Sequence, residues 1–153
     1  GGRMLWLKQP KQPKILKYKN DSIIEFSAEV ELKNLIWNRI IILNKVKKEL
    51  KIKDLIKSKK QVDISYYLNA PMKFCPKDKQ NSNSVLLLNK NDDKYIKLEF
   101  NFDNFNLVSG DENLPLGWIS DKFGRKKPSN NFSSFFTISK DKKIETVICY
   151  KNA

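Results

Sequence analysis

The sequence contains no histidine, and this absence limits the chemistry that the chain can perform. Without an imidazole there can be no Ser-His-Asp or Cys-His arrangement, and zinc sites of the usual kinds lose a common ligand. Only two cysteines are present, Cys75 and Cys149, so no disulfide framework is expected. Cys149 lies in the apolar run TVICY, where a free cysteine acts as a small buried hydrophobe. Cysteine usage of this kind favours a cytoplasmic location.

Glycine is also scarce, and none of the five glycines belongs to a phosphate-cradling loop. Adjacent carboxylates do occur at Asp92-Asp93 and Asp111-Glu112, but both pairs lie in turn-like segments where solvation explains them. We therefore expect a non-enzymatic protein with no catalytic residues, no metal and no cofactor.

Long hydrophobic runs are absent too. A membrane-spanning helix needs about 20 mostly apolar residues, whereas the longest runs here are IIIL (Ile40 to Leu43) and VLLL (Val85 to Leu88). This matters because GWISDKFGRKKP, residues 117–128, resembles a short cytoplasmic loop of major-facilitator transporters. That loop joins two membrane helices, and no such helices are predicted on either side of it. The sequence therefore excludes a transporter and predicts no transmembrane segment.

Arginine is rare although the chain carries a net charge of +13, because 27 of its 30 basic residues are lysine. Residues 1–62 hold +10 of this excess. One interpretation is a solvated lysine surface, and the other is a face that binds an acidic protein, nucleic acid or an acidic membrane surface. For the second interpretation, the candidate anion-binding residues are Lys122, Arg125, Lys126 and Lys127.

Short runs that alternate apolar and polar residues predict a mostly β protein. Residues 23–43 predict two antiparallel strands with a turn near Lys33, Asn34 and Leu35. Residues 45–60 suit either a helix face or a strand, and we favour a helix. The remaining predictions are a strand over 61–71, a polar loop over 72–84, a hairpin formed by 84–89 and 94–102, a long loop over 106–131, and a terminal hairpin formed by 132–138 and 144–150.

These elements predict one antiparallel β-sandwich, immunoglobulin-like, with one long insertion and one short helix. A chain of 153 residues can bury a core of this size. We expect an extended basic segment over residues 1–20, followed by a single sandwich domain over 21–153. The variable insertion is placed around residues 44–130.

Two separated segments resemble the starch- and glycogen-binding module of glycogen-targeting phosphatase subunits and fungal glucoamylases. The first runs from Val30 through Lys33, Asn34 and Leu35 to Trp37 and then to a second apolar strand. The second resembles the F-x-F-x-I and C-x-Y strands near the end of that module. The residues that match it are Phe132, Phe135, Phe136, Ile138, Val147, Cys149 and Tyr150.

The resemblance implies a carbohydrate-binding or glycogen-targeting domain, with an α-glucan polysaccharide as ligand and a protein phosphatase catalytic subunit as a further partner. The family stacks sugar on a loop tryptophan, and the position that matches here is Trp118 in Gly117-Trp118-x-Ser120. Tyr66 and Tyr67 are adjacent, so in a strand one of them faces inward and the other outward. The outward tyrosine is a further candidate for the ligand surface. The alternative function is a lysine-rich protein- or anion-binding module.

Overall fold

The fold is described by a computed structural model, which covers residues 14–19, 21–32, 35–72, 74–89, 94–113, 116–120 and 122–152. These residues form strands and connecting turns, with no helix among them. The strands are β1 (Lys14–Lys19), β2 (Ile23–Leu32), β3 (Leu35–Asn44), β4 (Glu49–Ser58), β5 (Val62–Pro71), β6 (Phe74–Asn81), β7 (Ser84–Asn89), β8 (Lys94–Phe100), β9 (Asn106–Ser109), β10 (Trp118–Ile119), β11 (Lys127–Ile138) and β12 (Lys142–Asn152).

Two antiparallel sheets make up the molecule, which confirms the predicted mostly-β sandwich. The large sheet has eight strands in the order β1-β2-β3-β4-β12-β8-β7-β6. The small sheet has the order β10-β11-β5, and β9 also pairs with β11. The large sheet is wider than either sheet of an immunoglobulin domain.

The core lies between the sheets and is built around phenylalanine rings. Phe132 of β11 is 1% exposed, and its ring centroid lies 6.3 Å from that of Phe100 and 5.7 Å from that of Phe105. Phe102 joins this cluster at 5.0 Å from Phe100. Alternation explains the arrangement, because the even-numbered residues of β5 and β11 face the large sheet and the odd-numbered residues face away.

The predicted hairpins at residues 23–43 and 84–102 are confirmed. In the first, β2 pairs with β3 from Ile23 opposite Asn44 to Leu32 opposite Leu35. In the second, β7 pairs with β8. Lys33 and Asn34, where the first turn was placed, lie outside the described residues. In the predicted N-terminal segment, residues 14–19 form a strand that pairs with β2, and residues 1–13 and 20 lie outside the described residues.

The predicted helix over residues 45–60 is wrong. This region contributes β4, which lies between β3 and β12 in the large sheet. Asp54 and Ile56 of this strand are buried, whereas Lys57 is exposed, so the strand period of two decides the structure. Backbone pairing on both sides outweighs the helical spacing of Leu50 and the neighbouring isoleucines.

Two other predictions are corrected by the pairing of the strands. The polar segment 72–84, predicted as a loop, contains β6, an edge strand that accommodates Pro76 where one side of the ladder is unpaired. The predicted terminal hairpin does not form, because β11 pairs with β5 and β9 while β12 pairs with β4 and β8. The turn between Ile138 and Lys142 therefore crosses from one sheet to the other. Residues 44–130, predicted as an insertion, contribute strands to both sheets.

Candidate functional site

Trp118 is held by two contacts that its own loop provides. Its indole Nε1 donates a hydrogen bond to the carbonyl oxygen of Asp111 at 3.1 Å. The ammonium Nζ of Lys126 lies 4.2 Å from the ring centroid and also bonds both carboxylate oxygens of Glu112, at 2.8 and 2.9 Å. A cation therefore covers one face of the indole, so a sugar stacking on that face would have to displace Lys126.

The same loop depends on Gly117, which has a φ of +74° and fits against backbone atoms. A Cβ at this position would lie 2.6 Å from the amide nitrogen of Gly110 and 2.8 Å from the carbonyl oxygen of Val108. Gly124 also has a positive φ, of +73°, but a Cβ there would meet nothing within 4 Å.

We predict that Gly117→Ala lowers the free energy of unfolding by about 2–4 kcal/mol, because left-handed strain adds to a clash with rigid backbone. Gly124→Ala is the matched control, and strain alone should cost it about 1–2 kcal/mol. Chemical denaturation followed by tryptophan fluorescence measures both. Equal losses in the two variants would show that the close approach at Gly117 has no energetic effect.

The basic residues of this loop do not converge as one anion site. Lys126 is engaged by Glu112 and Trp118, as described above. Lys122 and Arg125 are the first and last residues of a tight turn, and the Arg125 amide donates to the Lys122 carbonyl at 3.1 Å. Lys127 lies opposite Ile119 where β10 pairs with β11. All four side chains are exposed, and nothing in the described residues directs them at a common point.

Tyr66 and Tyr67 face in opposite directions, as alternation predicts. Tyr66 is 4% exposed and its hydroxyl lies 2.7 Å from the Thr146 hydroxyl across the core, so its proposed role as a stacking residue is wrong. Burial raises the pKa of the Tyr66 phenol, which keeps it neutral. Tyr67 faces away from the large sheet and is 47% exposed, so it alone of the two can contact a ligand.

Tyr67 is part of a surface that we call the outer face, meaning the side of the small sheet that points away from the large sheet. Its members are Asp63, Ser65, Tyr67 and Asn69 of β5, Asn131, Ser133, Phe135 and Thr137 of β11, and Asn106 of β9. At its centre the ring of Tyr67 meets that of Phe135 edge to face, with centroids 6.2 Å apart. Phe135 is 59% exposed, which is unusual for so large an apolar side chain next to another aromatic ring.

Beside this aromatic pair the outer face carries amides. The Asn131 Nδ2 donates to the Asn69 Oδ1 at 2.8 Å. Asn131 is 2% exposed, and its Oδ1 accepts no hydrogen bond from any described residue. A buried acceptor of this kind is commonly satisfied by an ordered water molecule.

A polar groove of about 560 Å³ continues the outer face beyond Phe135. Its wall includes Asn104, Asn106 and Lys142, and the Lys142 ammonium lies 5.2 Å from the Phe136 ring centroid. Asn104 has a φ of +60°, a left-handed conformation that asparagine tolerates better than most residues. Phe135 lines the groove and also contacts Tyr67, so the groove and the aromatic pair form one continuous surface.

The outer face carries little charge. Its one ionisable acid is Asp63, whose Oδ1 accepts a hydrogen bond from the Thr137 hydroxyl at 2.7 Å. At the groove, Asp103 and Lys142 add one charge of each sign. Sequence reasoning missed Phe135, Asn69 and Asn131 as site residues. Part of the signal for Phe135 was available, because a strand that turns Phe132 and Phe136 toward the core turns the odd positions 133 and 135 away from it.

A second polar cluster is formed by β3 and β4 of the large sheet. The carboxylate of Asp54, which is buried, accepts hydrogen bonds from Arg39 Nε at 2.7 Å and Nη2 at 3.0 Å, and from Trp37 Nε1 at 2.8 Å. The hydrogen bond with Asp54 raises the pKa of Arg39, so the guanidinium stays charged. Trp37 packs against the core, which agrees with its position in a predicted strand.

Neither a metal site nor a membrane-crossing helix is found in the parts of the chain that the structure describes. No group of three or more His, Cys, Asp and Glu side chains is placed there to hold an ion. No helix there has the length and apolar character needed to cross a bilayer.

Comparison with solved structures places this fold inside larger proteins. The chain is similar to part of the heparan sulfate lyase HepC from Pedobacter heparinus, with a TM-score of 0.76 and 12% identity, over 93% of this chain and 22% of that one. It is similarly related to a heparinase III, with a TM-score of 0.73 and 16% identity, over 92% of this chain and 21% of that one. The chain thus spans about a fifth of the length of these proteins. At such identities the likeness shows the fold alone.

No protein-family model matches the chain, and no curated protein matches it either.

Proposed function

We propose that this chain is a non-enzymatic carbohydrate-binding domain whose outer face binds a saccharide. The observation that carries the proposal is the exposed Tyr67–Phe135 pair, which lies beside the Asn69–Asn131 amides and opens into a polar groove. The neighbouring fold in a heparan sulfate lyase and a heparinase supports a carbohydrate role, because those proteins are named for glycans.

The physical reasons are those of sugar recognition in general. Pyranose rings present C–H groups that pack on the faces of aromatic rings, and the exposed side chains of Tyr67 and Phe135 offer an apolar surface of this kind. Hydroxyl groups need donors and acceptors, which the exposed amides of Asn69 and Asn106 supply.

The low charge of the outer face favours a neutral glycan over a sulfated one. A sulfated polymer would be drawn to clustered Lys and Arg, whereas this face carries the Asp63 carboxylate and its groove adds only Asp103 and Lys142. An α-glucan of the starch or glycogen kind therefore remains our proposed ligand. The resemblance to glycogen-targeting subunits extends that proposal to a protein phosphatase catalytic subunit as partner, which copurification would test.

We predict that the chain is retained on amylose resin at about 0.5 M salt, where the screening length is a few ångströms and lysine contacts are suppressed. A soluble malto-oligosaccharide should release it. Phe135→Ala and Tyr67→Ala should each weaken retention about tenfold, which corresponds to the ~1.4 kcal/mol expected for loss of an aromatic contact.

Two controls make this result specific. Phe123→Ala removes the same side chain at another fully exposed position and should leave retention unchanged. Trp118→Ala tests the tryptophan that the sequence indicates, and retention lost only in this variant would move the site to the loop. Binding that disappears with salt and ignores the sugar would contradict the proposal and support the lysine-rich interaction module instead.

A further inference from the structure

The most exposed aromatic side chain among the described residues is Phe123, at the tip of the loop between β10 and β11. Its relative exposure is 107%, so the ring is as open to solvent as in an extended chain. It occupies the second position of the four-residue turn Lys122–Arg125, with Gly124 at the third position and a φ of +73°. A glycine with positive φ at that position is the signature of a type II turn.

The tip projects from the described part of the molecule. A Cβ at Gly124 would meet no atom within 4 Å, so none of the described segments covers this side of the turn. Below it, the Ser120 hydroxyl donates to the Lys122 carbonyl at 2.8 Å. The strands beneath pair at Trp118 opposite Pro128 and at Ile119 opposite Lys127.

The base of the loop is also fixed. Lys126 is held between the Trp118 ring and the Glu112 carboxylate, which ties the returning arm of the loop to residues 111–118. Because the base of the loop is fixed, the tip loses less conformational entropy on binding than a flexible loop would. Core packing does not explain an aromatic ring displayed in this way.

The turn also carries cationic residues next to Phe123. Lys122 and Arg125 flank it within the turn, and both are exposed. Ile119, at 37% exposure, adds a second apolar side chain nearer the base. An anionic lipid surface has an apolar acyl region beneath negatively charged headgroups. An apolar ring with a cation on either side in the turn suits both, because the ring can enter the acyl boundary while the cations contact the headgroups.

From this arrangement we propose that the Lys122–Arg125 turn is an interfacial anchor, which inserts Phe123 into membranes that carry anionic phospholipid. A nucleic acid is the less suitable partner, because single-stranded binding uses a cationic groove that tracks the backbone beneath its stacking aromatics. Here one aromatic ring projects from a convex turn. The inference is independent of sugar binding, since Phe123 lies outside the outer face.

The test uses the whole chain and sedimentation with vesicles of phosphatidylcholine containing about 30% phosphatidylserine, at about 0.1 M salt, where charges within ~10 Å still interact. Wild type should bind these vesicles and should not bind pure phosphatidylcholine. Phe123→Ala should lower the affinity about tenfold. Lys122→Ala and Arg125→Ala should lower it about fivefold each.

Phe135→Ala is the matched control, because it removes an exposed phenylalanine from the outer face, and it should bind vesicles like wild type. Phe123→Trp should keep the affinity and shift its added fluorescence to shorter wavelength on binding, relative to wild type. The proposal is overturned if wild type does not bind the anionic vesicles, or if Phe123→Ala binds them equally well. It is also overturned if Phe123→Ala impairs binding of single-stranded DNA while vesicle binding is unchanged.

Discussion

Arg39→Ala is expected to lower the free energy of unfolding by about 3–5 kcal/mol, because it leaves the buried carboxylate of Asp54 without its charged partner. Of the described side chains that donate to this carboxylate, the Trp37 N–H would remain. Urea denaturation monitored by circular dichroism measures the loss.

The ion pair should respond differently to loss of its other member. Asp54→Asn removes the charge from the buried side, whereas the Arg39 side chain is 46% exposed and can recover water. We therefore expect a smaller loss than for Arg39→Ala. Arg125→Ala, which truncates an exposed arginine, should change stability by no more than about 0.5 kcal/mol. Similar small values for Arg39→Ala and Arg125→Ala would show that the Asp54 pair contributes nothing measurable.

Phe132→Ala is the second large effect, with an expected loss of about 3–5 kcal/mol. Phe132 is 1% exposed and its ring packs against those of Phe100 and Phe105, so truncation opens a cavity between the sheets. The variant should unfold at a clearly lower urea concentration.

The same strand offers the control. Phe135 is three residues further on, faces solvent and is 59% exposed, so Phe135→Ala should cost less than about 1 kcal/mol. If the two variants lost equal stability, the assignment of inner and outer faces on β11 would be wrong.

The sequence predicts the hairpins well and the longer connections poorly. Ile23–Leu32 and Leu35–Asn44 pair as expected because both alternate and a short turn joins them. The segment 45–60 was misread because lysines alternate with Leu and Ile at spacings that also fit a helix. Its strand depends on β3 and β12 lying on either side, and β12 is about 90 residues away in the sequence.

The two terminal strands show a second limit on predicting strand pairing from local sequence. Residues 132–138 and 144–150 have the composition and spacing of a hairpin, yet they belong to different sheets. A short turn can join two strands within one sheet or pass between sheets, and local sequence does not distinguish the two. That choice depends on which partner strands bury Phe132 and Ile144.

The candidate site was predictable only in part. Alternation correctly predicts that one of Tyr66 and Tyr67 faces outward. The sequence cannot show that the outward residue, Tyr67, meets Phe135, because the pair joins strands separated by more than 60 residues. The sequence also points to the basic residues of 122–127 as an anion site. In the structure, Lys126 forms an ion pair with Glu112, and the Phe123 side chain of that segment is fully exposed.

The central claim is that a neutral glycan binds the outer face, and the most direct test is an NMR titration of the isotopically labelled chain with maltoheptaose. We predict that backbone amide shifts concentrate at Tyr67, Asn69, Asn131, Phe135 and Asn106, and that Phe135→Ala abolishes them at the same sugar concentration. Shifts concentrated around Trp118, or no saturable shifts at millimolar sugar, would contradict the claim.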